Sequence, residues 1–283
     1  MFKIILVIGP TSSGKSAWAL QEAQKHNRAI INIDSAQVYK EISISPGCPT
    51  QQELSTVPHY LFNYRSAIEP YNIQIYLTDL YKTLEYCSKK YESIYIVGGS
   101  AMYIYCLLHG LNESINISKN TIQKSQEDYK TYGLQYIFDQ MALKYANLSQ
   151  HLEKNNTQRI LRAYQVFLES GKLPHEFIQK KFLPLNKYYS NIIIKKLLPE
   201  KNLIYTKCQQ RVYNLLKNGA LEEAQNNQHI YNQFNTSAQK ILLFKELNEF
   251  LSNKINENEM ILKAQQSTRK YAKKQYTWYT NKI

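Results

Sequence analysis

The feature that most constrains this chain is an eight-residue segment near its N-terminus, Gly9-Pro10-Thr11-Ser12-Ser13-Gly14-Lys15-Ser16. It follows an apolar run at residues 1–8, which predicts a buried strand, and it precedes residues 16–25, which predict a helix. A glycine-rich turn of the pattern GxxxxGK(S/T) in that position directs backbone N–H groups and the positive end of the helix dipole towards a phosphate group. The segment is therefore predicted to bind a diphosphate or a nucleotide such as ATP; a glycine-rich turn that carries a lysine by chance is the alternative.

Lys15 and Ser16 close this segment and have separate predicted roles. Lys15 supplies a positive point charge, and the Ser16 hydroxyl is the predicted ligand of a magnesium ion that accompanies the phosphates. The pattern predicts a phosphate ligand and leaves the reaction open, because many kinds of enzyme bind phosphate in this way.

Two further apolar runs, residues 29–33 and 94–97, predict strands that are buried on both faces, and helical spacing at residues 75–90 separates them. Strands that alternate with helices predict an α/β fold, a P-loop NTPase-like parallel sheet with helices on both faces. Polar and charged residues dominate the stretch at 112–151, which predicts a small helical insertion domain. Residues 1–111 and 152–283 then form the P-loop catalytic core with a basic C-terminal helix.

Asp34 follows the second predicted strand directly. Ligands of an open parallel sheet lie beyond the carboxyl ends of its strands, so Asp34 is expected to face the same crevice as the phosphate-binding segment. A carboxylate there can accept a proton from an attacking amine, and Gln37 can read an adenine edge with its amide. The alternatives are a helix cap formed by Asp34 and Ser35, or a water-mediated contact of Asp34 with magnesium.

The charge of the chain favours a polyanionic partner. There are 35 Lys and Arg residues against 22 Asp and Glu residues, a formal net charge of +13. Part of the excess lies on one face of a predicted C-terminal helix, where aromatic residues are interleaved with Arg269, Lys270, Lys273 and Lys274. The alternatives are a lysine-rich composition of the whole chain and a solvated helix face.

Other features exclude several classes of protein. The four cysteines are widely separated and predict neither a disulfide framework nor a zinc site. The apolar run at residues 4–8 is far too short to span a bilayer, so no membrane association is predicted and the chain is expected in the cytoplasm. No heptad repeat or large apolar stripe is left over, which favours a monomer.

Five segments that cover nearly the whole chain stand out as an ordered set: residues 9–16, 34–39, 57–59, 97–103 and 268–278. The most specific are GPTxSGKS, DSxQVY and the C-terminal TRxxAKxQxTW, which a generic phosphate-binding protein does not carry together. In this combination and order they resemble the motifs of the bacterial tRNA dimethylallyltransferase family.

The resemblance implies transfer of a dimethylallyl group from dimethylallyl diphosphate to the exocyclic amine of the adenosine 3′-adjacent to the tRNA anticodon, with Mg²⁺. It implies catalytic roles for Asp34 as general base, for Lys15 and Arg211 as cations beside the departing diphosphate, and for Ser100, which stands where the family usually has threonine. It also implies that the anticodon stem-loop contacts Asp34, Ser35, Ala36, Gln37, Gln158, Arg159, Ile160, Leu161, Arg162, Lys273, Lys274, Gln275 and Trp278.

The chain departs from the family pattern in several places. Ser45-Pro46-Gly47-Cys48-Pro49 stands where the family has Gly-Thr-Ala-Lys-Pro, so a threonine and a lysine near the expected site are missing. Leu243-Phe244 replaces a Gly-Tyr pair, and Thr280 stands where arginine is common. These differences predict altered substrate and RNA contacts.

Three other functions fit parts of the pattern. A small-molecule kinase of the same architecture would use Asp34 as the base for a substrate hydroxyl, although no arginine-rich lid is evident in the sequence. A non-enzymatic RNA-binding module related to ATPases would retain the basic helix but would not need Gln37. An enzyme that prenylates a free adenine nucleotide would not need the motif at residues 268–278.

Overall fold

The computed structural model describes residues 2–153 and 156–283, and the chain forms two compact units. The first consists of Met1–His109 and Pro184–Ile283, and the second of Gly110–Leu183. The second unit ends at Leu183 and not at residue 151, where the predicted insertion ends, because the helix Thr157–Ser170 packs against the helix Lys119–Ala142. Met1, the first residue of the predicted N-terminal strand, lies outside the described residues.

The strands of the described residues are β1 Lys3–Ile8, β2 Ala29–Asn32, β3 His59–Tyr60, β4 Ser93–Gly98, β5 Leu111–Asn112, β6 Lys180–Phe182 and β7 Ile192–Lys196. Five of them form one parallel sheet in the order β3-β2-β4-β1-β7, which confirms the predicted parallel sheet. The other two, β5 and β6, form an antiparallel pair in the second unit.

The register of the sheet brings the carboxyl ends of β1, β2 and β4 to one edge. Ile8 lies opposite Gly98, and Asn32 lies opposite Val97. The segments that follow these three strands therefore begin side by side, as the rule for open parallel sheets predicts.

The α-helices of the described residues are α1 Lys15–Lys25, α2 Gln51–Thr56, α3 Ile73–Lys90, α4 Ala101–His109, α5 Lys119–Ala142, α6 Leu148–His151, α7 Thr157–Ser170, α8 Lys201–Lys217, α9 Ala220–Asn227, α10 Thr236–Gln239, α11 Phe244–Leu251 and α12 Glu257–Lys282. Short 3₁₀ helices lie at Pro174–Glu176, Leu185–Lys187 and Gln228–Gln233. Among the described helices, none combines the length and apolar character that a membrane-spanning helix needs.

Both faces of the parallel sheet are buried. On one face, Val7 of β1 packs with Ala19 and Ala23 of α1. On the other face, Ile4 and Leu6 of the same strand are completely buried. Successive side chains of a strand point to opposite faces, so a continuous apolar run gives a strand that is covered on both sides. Each such side chain stabilises the fold by about 1.5–3 kcal/mol.

The second unit has an apolar core of its own. Ile137 and Met141 of α5 pack with Ile160 and Tyr164 of α7. Gly133 interrupts α5 with φ +81° and ψ 179°, so α5 consists of two helical segments joined at a kink. The predicted helical character of this region therefore holds, and its helices share one core.

The helix α11 begins at Phe244, directly after Leu243. Leu243 has φ +69°, a backbone conformation that ends helical geometry and that a leucine adopts only under strain. The backbone N–H of Leu243 donates to Glu246 Oε2 (2.9 Å), which caps the start of α11. The family resemblance leads one to expect glycine at position 243. Leu243 therefore replaces glycine at a turn that glycine would form more easily.

A buried asparagine fixes the turn after β2. The Nδ2 of Asn32 donates to the carbonyl oxygens of Asp34 (2.9 Å) and Leu61 (3.0 Å), and the side chain has no exposed surface. Its Oδ1 accepts the backbone N–H of Asp34 (2.7 Å). The side chain of Asn32 therefore satisfies buried backbone groups and sets the position at which Asp34 leaves the strand.

We predict that Asn32→Leu lowers the free energy of unfolding by about 3 kcal/mol, because it leaves buried backbone groups without hydrogen-bond partners. Urea denaturation followed by circular dichroism measures the change. Asn226→Leu, at an exposed position of α9, is the matched control and is expected to alter the free energy of unfolding by less than about 0.5 kcal/mol. Equal stability of the two variants would show that the hydrogen bonds of Asn32 do not support the turn.

Candidate active site

The phosphate loop, residues 9–16, joins β1 to α1. Gly14 has φ +85° and directly precedes Lys15, the first residue of α1. A Cβ atom built on Gly14 would meet no atom within 4 Å, so the loop is open at this point. Ser13 Oγ is buried, and no described residue forms a hydrogen bond with it. An unpartnered buried hydroxyl beside an open helix N-terminus is an arrangement that a phosphate group satisfies.

The phosphate loop and Asp34 lie in the wall of one cavity, here called the phosphate cavity. It has a volume of about 400 Å³, and its walls include Thr11, Lys15, Ser16, Asp34 and Arg211. The crevice that was predicted to be shared by the phosphate loop and Asp34 is therefore present. Arg211 reaches the phosphate cavity from α8, which follows β7 along the chain.

A second cavity of about 210 Å³, here called the apolar cavity, adjoins the first. Asp34 and Arg211 line both cavities. The other walls of the apolar cavity are mostly hydrophobic and include Val212, Leu215, Ile241, Leu242 and Leu243. A charged compartment and an apolar compartment thus meet at Asp34, which suits a ligand with a charged end and a hydrocarbon end.

Two partly buried cations dominate the electrostatics of the phosphate cavity. Burial lowers the pKa of Lys15 to about 8; the Asp34 carboxylate opposes this shift, and the Arg211 guanidinium adds to it. Burial also lowers the pKa of Arg211, again against the effect of Asp34. Lys15 Nζ donates to the carbonyl oxygen of Pro10 (3.2 Å). Two cations near one carboxylate favour a ligand that carries negative charge.

The carboxylate of Asp34 is held by the turn that it begins. Its Oδ1 accepts the backbone N–H of Ala36 (3.1 Å) and the hydroxyl of Ser100 (3.5 Å). Ser100 Oγ in turn accepts the backbone N–H of Ser35 (2.8 Å). One oxygen of Asp34 therefore bonds within the turn that it begins, while the carboxylate still lines both cavities. Residues 35–38 form a turn and not a helix, so Asp34 and Ser35 do not form the helix cap of the alternative. The Ser100 hydroxyl is buried and supports this turn.

Gln37 also has partners within the protein. Its Nε2 donates to the carbonyl oxygens of Gly47 (2.7 Å) and Pro46 (3.2 Å), and the side chain lies in the wall of the phosphate cavity. Arg211 Nη2 donates to the same Pro46 carbonyl (2.7 Å). The amide of Gln37 and the guanidinium of Arg211 thus hold the segment at residues 43–49, here called the substituted segment, because it contains the departure from the family pattern.

A buried glutamate anchors the other end of the substituted segment. Glu223 Oε1 accepts the backbone N–H groups of Ser43 and Ile44, both at 2.6 Å, and Oε2 accepts the N–H of Ser45 (2.9 Å). The hydroxyls of Ser43 and Ser45 also donate to this carboxylate. Sequence reasoning missed Glu223, because nothing in residues 219–227 distinguishes it from a glutamate on an ordinary helix. It also missed Lys240, which lines the apolar cavity.

The basic face of α12 agrees with the sequence pattern in part. Lys273 and Lys274 are exposed and line, with Trp278, a groove of about 600 Å³. The ring of Trp278 lies 6.2 Å from that of Tyr105 on α4 in an edge-to-face arrangement. Gln275, which was predicted to contact tRNA, is buried, and its amide is bonded within the protein, so the predicted contact with tRNA is corrected to contacts with the chain's own loops.

Five of the predicted RNA contacts lie on α7 of the second unit. Gln158, Arg159 and Arg162 are exposed there, and Leu161 is half-buried. Ile160 has no exposed surface and belongs to the apolar core of the unit, so its predicted contact with tRNA is corrected to core packing. The spacing of three between Arg159 and Arg162 places both on one side of the helix, where both are exposed.

Comparison with known proteins gives consistent matches. The family described as IPP transferase matches residues 37–282. The chain is 31% identical over 283 residues to the tRNA dimethylallyltransferase of Ehrlichia chaffeensis, and the alignment covers 100% of this chain and 92% of that protein. It is 34% identical over 281 residues to the tRNA dimethylallyltransferase of Bartonella quintana, and the alignment covers 99% of this chain and 94% of that protein.

Solved structures agree in fold. The full-length tRNA isopentenylpyrophosphate transferase of Bacillus halodurans aligns with a TM-score of 0.68 at 22% identity, over 99% of this chain and 88% of that one. A eukaryotic dimethylallyltransferase acting on tRNA aligns with a TM-score of 0.77 at 25% identity, over 98% of this chain and 70% of that one. Because the family match extends over residues 37–282 and relatives above 30% identity align along nearly the whole chain, this protein belongs to the IPP transferase family.

Proposed function

We propose that this protein transfers the dimethylallyl group of dimethylallyl diphosphate to the exocyclic amine of the adenosine 3′-adjacent to the anticodon of tRNA. The observation that carries the proposal is the place of Asp34 in the walls of both the phosphate cavity and the apolar cavity. The relatives from E. chaffeensis and B. quintana are named for this activity. A kinase that acts on a small molecule would explain the phosphate loop, but its reaction would not explain why an apolar cavity adjoins Asp34.

The phosphate cavity is the proposed site of the diphosphate. The loop amides, Lys15 and Arg211 would hold it, and Ser13 Oγ would gain a partner. The Ser16 hydroxyl offers a hard oxygen atom in the same wall, which suits Mg²⁺. Among the described residues no three His, Cys, Asp or Glu side chains form a metal-binding group, so phosphate and water oxygens would complete the shell around Ser16. When bound, Mg²⁺ would neutralise part of the diphosphate charge.

The transfer step exchanges one bond for another at the allylic carbon. The bond from this carbon to the diphosphate oxygen breaks, and its electron pair leaves with the diphosphate, whose charge Lys15 and Arg211 stabilise. The lone pair of the adenine amine forms the new carbon–nitrogen bond. Asp34 accepts the proton that the amine then loses, which balances the reaction. The apolar cavity excludes water from the cation-like carbon before the amine arrives.

Contacts with the RNA backbone are proposed for exposed cations on both units. Lys273 and Lys274 lie on α12, and Arg159 and Arg162 lie on α7. The target adenosine must leave the stacked anticodon loop to reach Asp34, at a cost of a few kcal/mol, which phosphate contacts and stacking on Trp278 would offset. Contacts of Ser35, Ala36, Gln37, Gln158 and Leu161 with the RNA remain part of the proposal. We place the enzyme in the cytoplasm, where tRNA is found, and propose that it acts as a monomer.

The direct test of the function is a transfer assay. The purified protein is incubated with dimethylallyl diphosphate, Mg²⁺ and unmodified tRNA that carries adenosine on the 3′ side of the anticodon, and digested nucleosides are analysed by mass spectrometry. We expect prenylated adenosine, and none with a tRNA that carries guanosine at that position. Phosphorylation of a metabolite or hydrolysis of ATP without prenylated product would favour the kinase.

Asp34→Asn tests the proposed base. The asparagine can still accept the N–H of Ala36 but cannot take up the amine proton, so kcat is expected to fall by about 10²–10⁴-fold. The dissociation constants of tRNA and of dimethylallyl diphosphate should stay within about threefold of the wild type, because geometry is retained. Ser100→Ala, which removes only a support of the turn, should lose less activity. A parallel loss of tRNA affinity and kcat in Asp34→Asn would make the residue structural.

The lowered pKa of Lys15 predicts that diphosphate binding depends on pH. Its ammonium is charged below about pH 8 and loses its proton above, and the bound anion favours the charged form. Relative to pH 7, affinity for dimethylallyl diphosphate should therefore be about twofold weaker at pH 8 and about tenfold weaker at pH 9. Calorimetric titration at each pH measures this dependence. Lys15→Arg stays charged throughout, so its profile should be flat; a flat profile in the wild type would contradict the assignment.

A further inference from the structure

Gln275 connects two loops of the phosphate site from the middle of α12. Its Oε1 accepts the backbone N–H of Thr11 in the phosphate loop (2.8 Å), and its Nε2 donates to the carbonyl oxygen of Gly99 after β4 (2.6 Å). The side chain is only 3% exposed. Burial of an amide costs free energy, because its hydrogen bonds within the protein replace those that it makes with water. A buried amide that bonds to two separate loops therefore indicates that this connection has a role.

The surroundings of Gln275 leave little freedom for this connection. A Cβ atom built on Gly99 would lie 2.6 Å from Gln275 Nε2, so the backbone at this position must be bare for the amide to approach. The hydroxyl of Tyr279, one turn further along α12, donates to the same Gly99 carbonyl (2.7 Å). Two residues of α12, Gln275 and Tyr279, thus form hydrogen bonds with Gly99 after β4. Of these two residues, only Gln275 also bonds to the phosphate loop.

Thr11 is a sensitive point at which to hold the phosphate loop. It lines both the phosphate cavity and the apolar cavity, as Asp34 does. Displacement of Thr11 would move the loop amides relative to the carboxylate, and the precision of a transfer site depends on such distances. The two residues that directly precede Gln275, Lys273 and Lys274, are exposed, so one helix carries both the buried connection and the cationic surface.

We propose that Gln275 is a positioning residue for the transfer reaction, which sets the phosphate loop against the Gly99 turn so that the diphosphate lies in line with Asp34. The proposal rests on the proposed function for its reaction, but its geometric part concerns diphosphate binding alone. Gln275 acts through Thr11 and Gly99 and has no contact with either substrate. In this respect it differs from Lys273 and Lys274, whose side chains are exposed.

The test uses the full chain and the variant Gln275→Met, which keeps the length and shape of the side chain and removes both hydrogen bonds. Gln266→Met, at an exposed position of the same helix, is the matched control. Tyr279→Phe removes a buried bond to Gly99 but leaves the bond to Thr11. For each protein, the dissociation constants of inorganic pyrophosphate, dimethylallyl diphosphate and tRNA are measured with kcat, well below the unfolding temperature.

We expect Gln275→Met to weaken pyrophosphate and dimethylallyl diphosphate binding by about tenfold and to lower kcat by a similar factor, with tRNA affinity within about threefold of the wild type. Gln266→Met should match the wild type, and Tyr279→Phe should stay within about threefold in diphosphate affinity. A merely structural role would lower the unfolding temperature but leave the diphosphate affinity of the folded protein unchanged. That result would overturn the proposal, as would a selective loss of tRNA affinity.

A second measurement needs no variant and applies if Gln275→Met does not fold. The Thr11 amide of the wild type is read by hydrogen exchange with NMR detection in the absence of substrates. The bond to Gln275 predicts slow exchange at Thr11, and exchange as fast as that of an unbonded loop amide would overturn the proposal. Failure of the prenylation assay alone would refute the proposed function, whereas pyrophosphate affinity reports on Gln275 whichever acceptor the enzyme uses.

Discussion

The position of β1 in the sheet is the constraint on which the rest of this protein depends. β1 pairs in parallel with β4 on one side and with β7 on the other, and its residues from Ile4 to Ile8 are buried. Parallel pairing in this register brings the phosphate loop, Asp34 and Gly99 to one edge of the sheet. A slip of one residue would turn every side chain of β1 to the opposite face and would separate the phosphate loop from Asp34, so the apolar core and the candidate active site are specified together.

Electrostatics and packing then favour the same kind of ligand at this edge. Lys15 and Arg211 are desolvated, and Asp34 raises the pKa of both. A desolvated cation is costly unless an anion compensates it, and a diphosphate carries more charge than one carboxylate. The hydrophobic wall formed by Val212, Leu243 and their neighbours adds the requirement for an apolar group next to that charge. An allylic diphosphate meets both requirements in one molecule.

The sequence predicted those features of the fold and site that depend on local pattern. The phosphate loop, the buried strands and the place of Asp34 follow from apolar runs and from the geometry of parallel sheets. Gln275 could not be assigned correctly, because its motif lies on a basic helix and the pattern does not reveal which residue of that helix faces inwards. The end of the second unit was misplaced because the packing of α7 on α5 is a tertiary preference that helical spacing alone does not contain.

The anchoring of the substituted segment by Glu223 has an evolutionary consequence. The carboxylate accepts the main-chain N–H groups of Ser43, Ile44 and Ser45, and every amino acid except proline offers that group. Hydrogen bonds from main-chain N–H groups depend little on the side chains of the residues that form them. Ser45, the first residue of the stretch that differs from the Gly-Thr-Ala-Lys-Pro pattern, can therefore change while its main-chain hydrogen bond to Glu223 and the path of the backbone at this point persist. At this point the path of the backbone therefore depends less on the divergent residues than on Glu223, which lies far away in the chain.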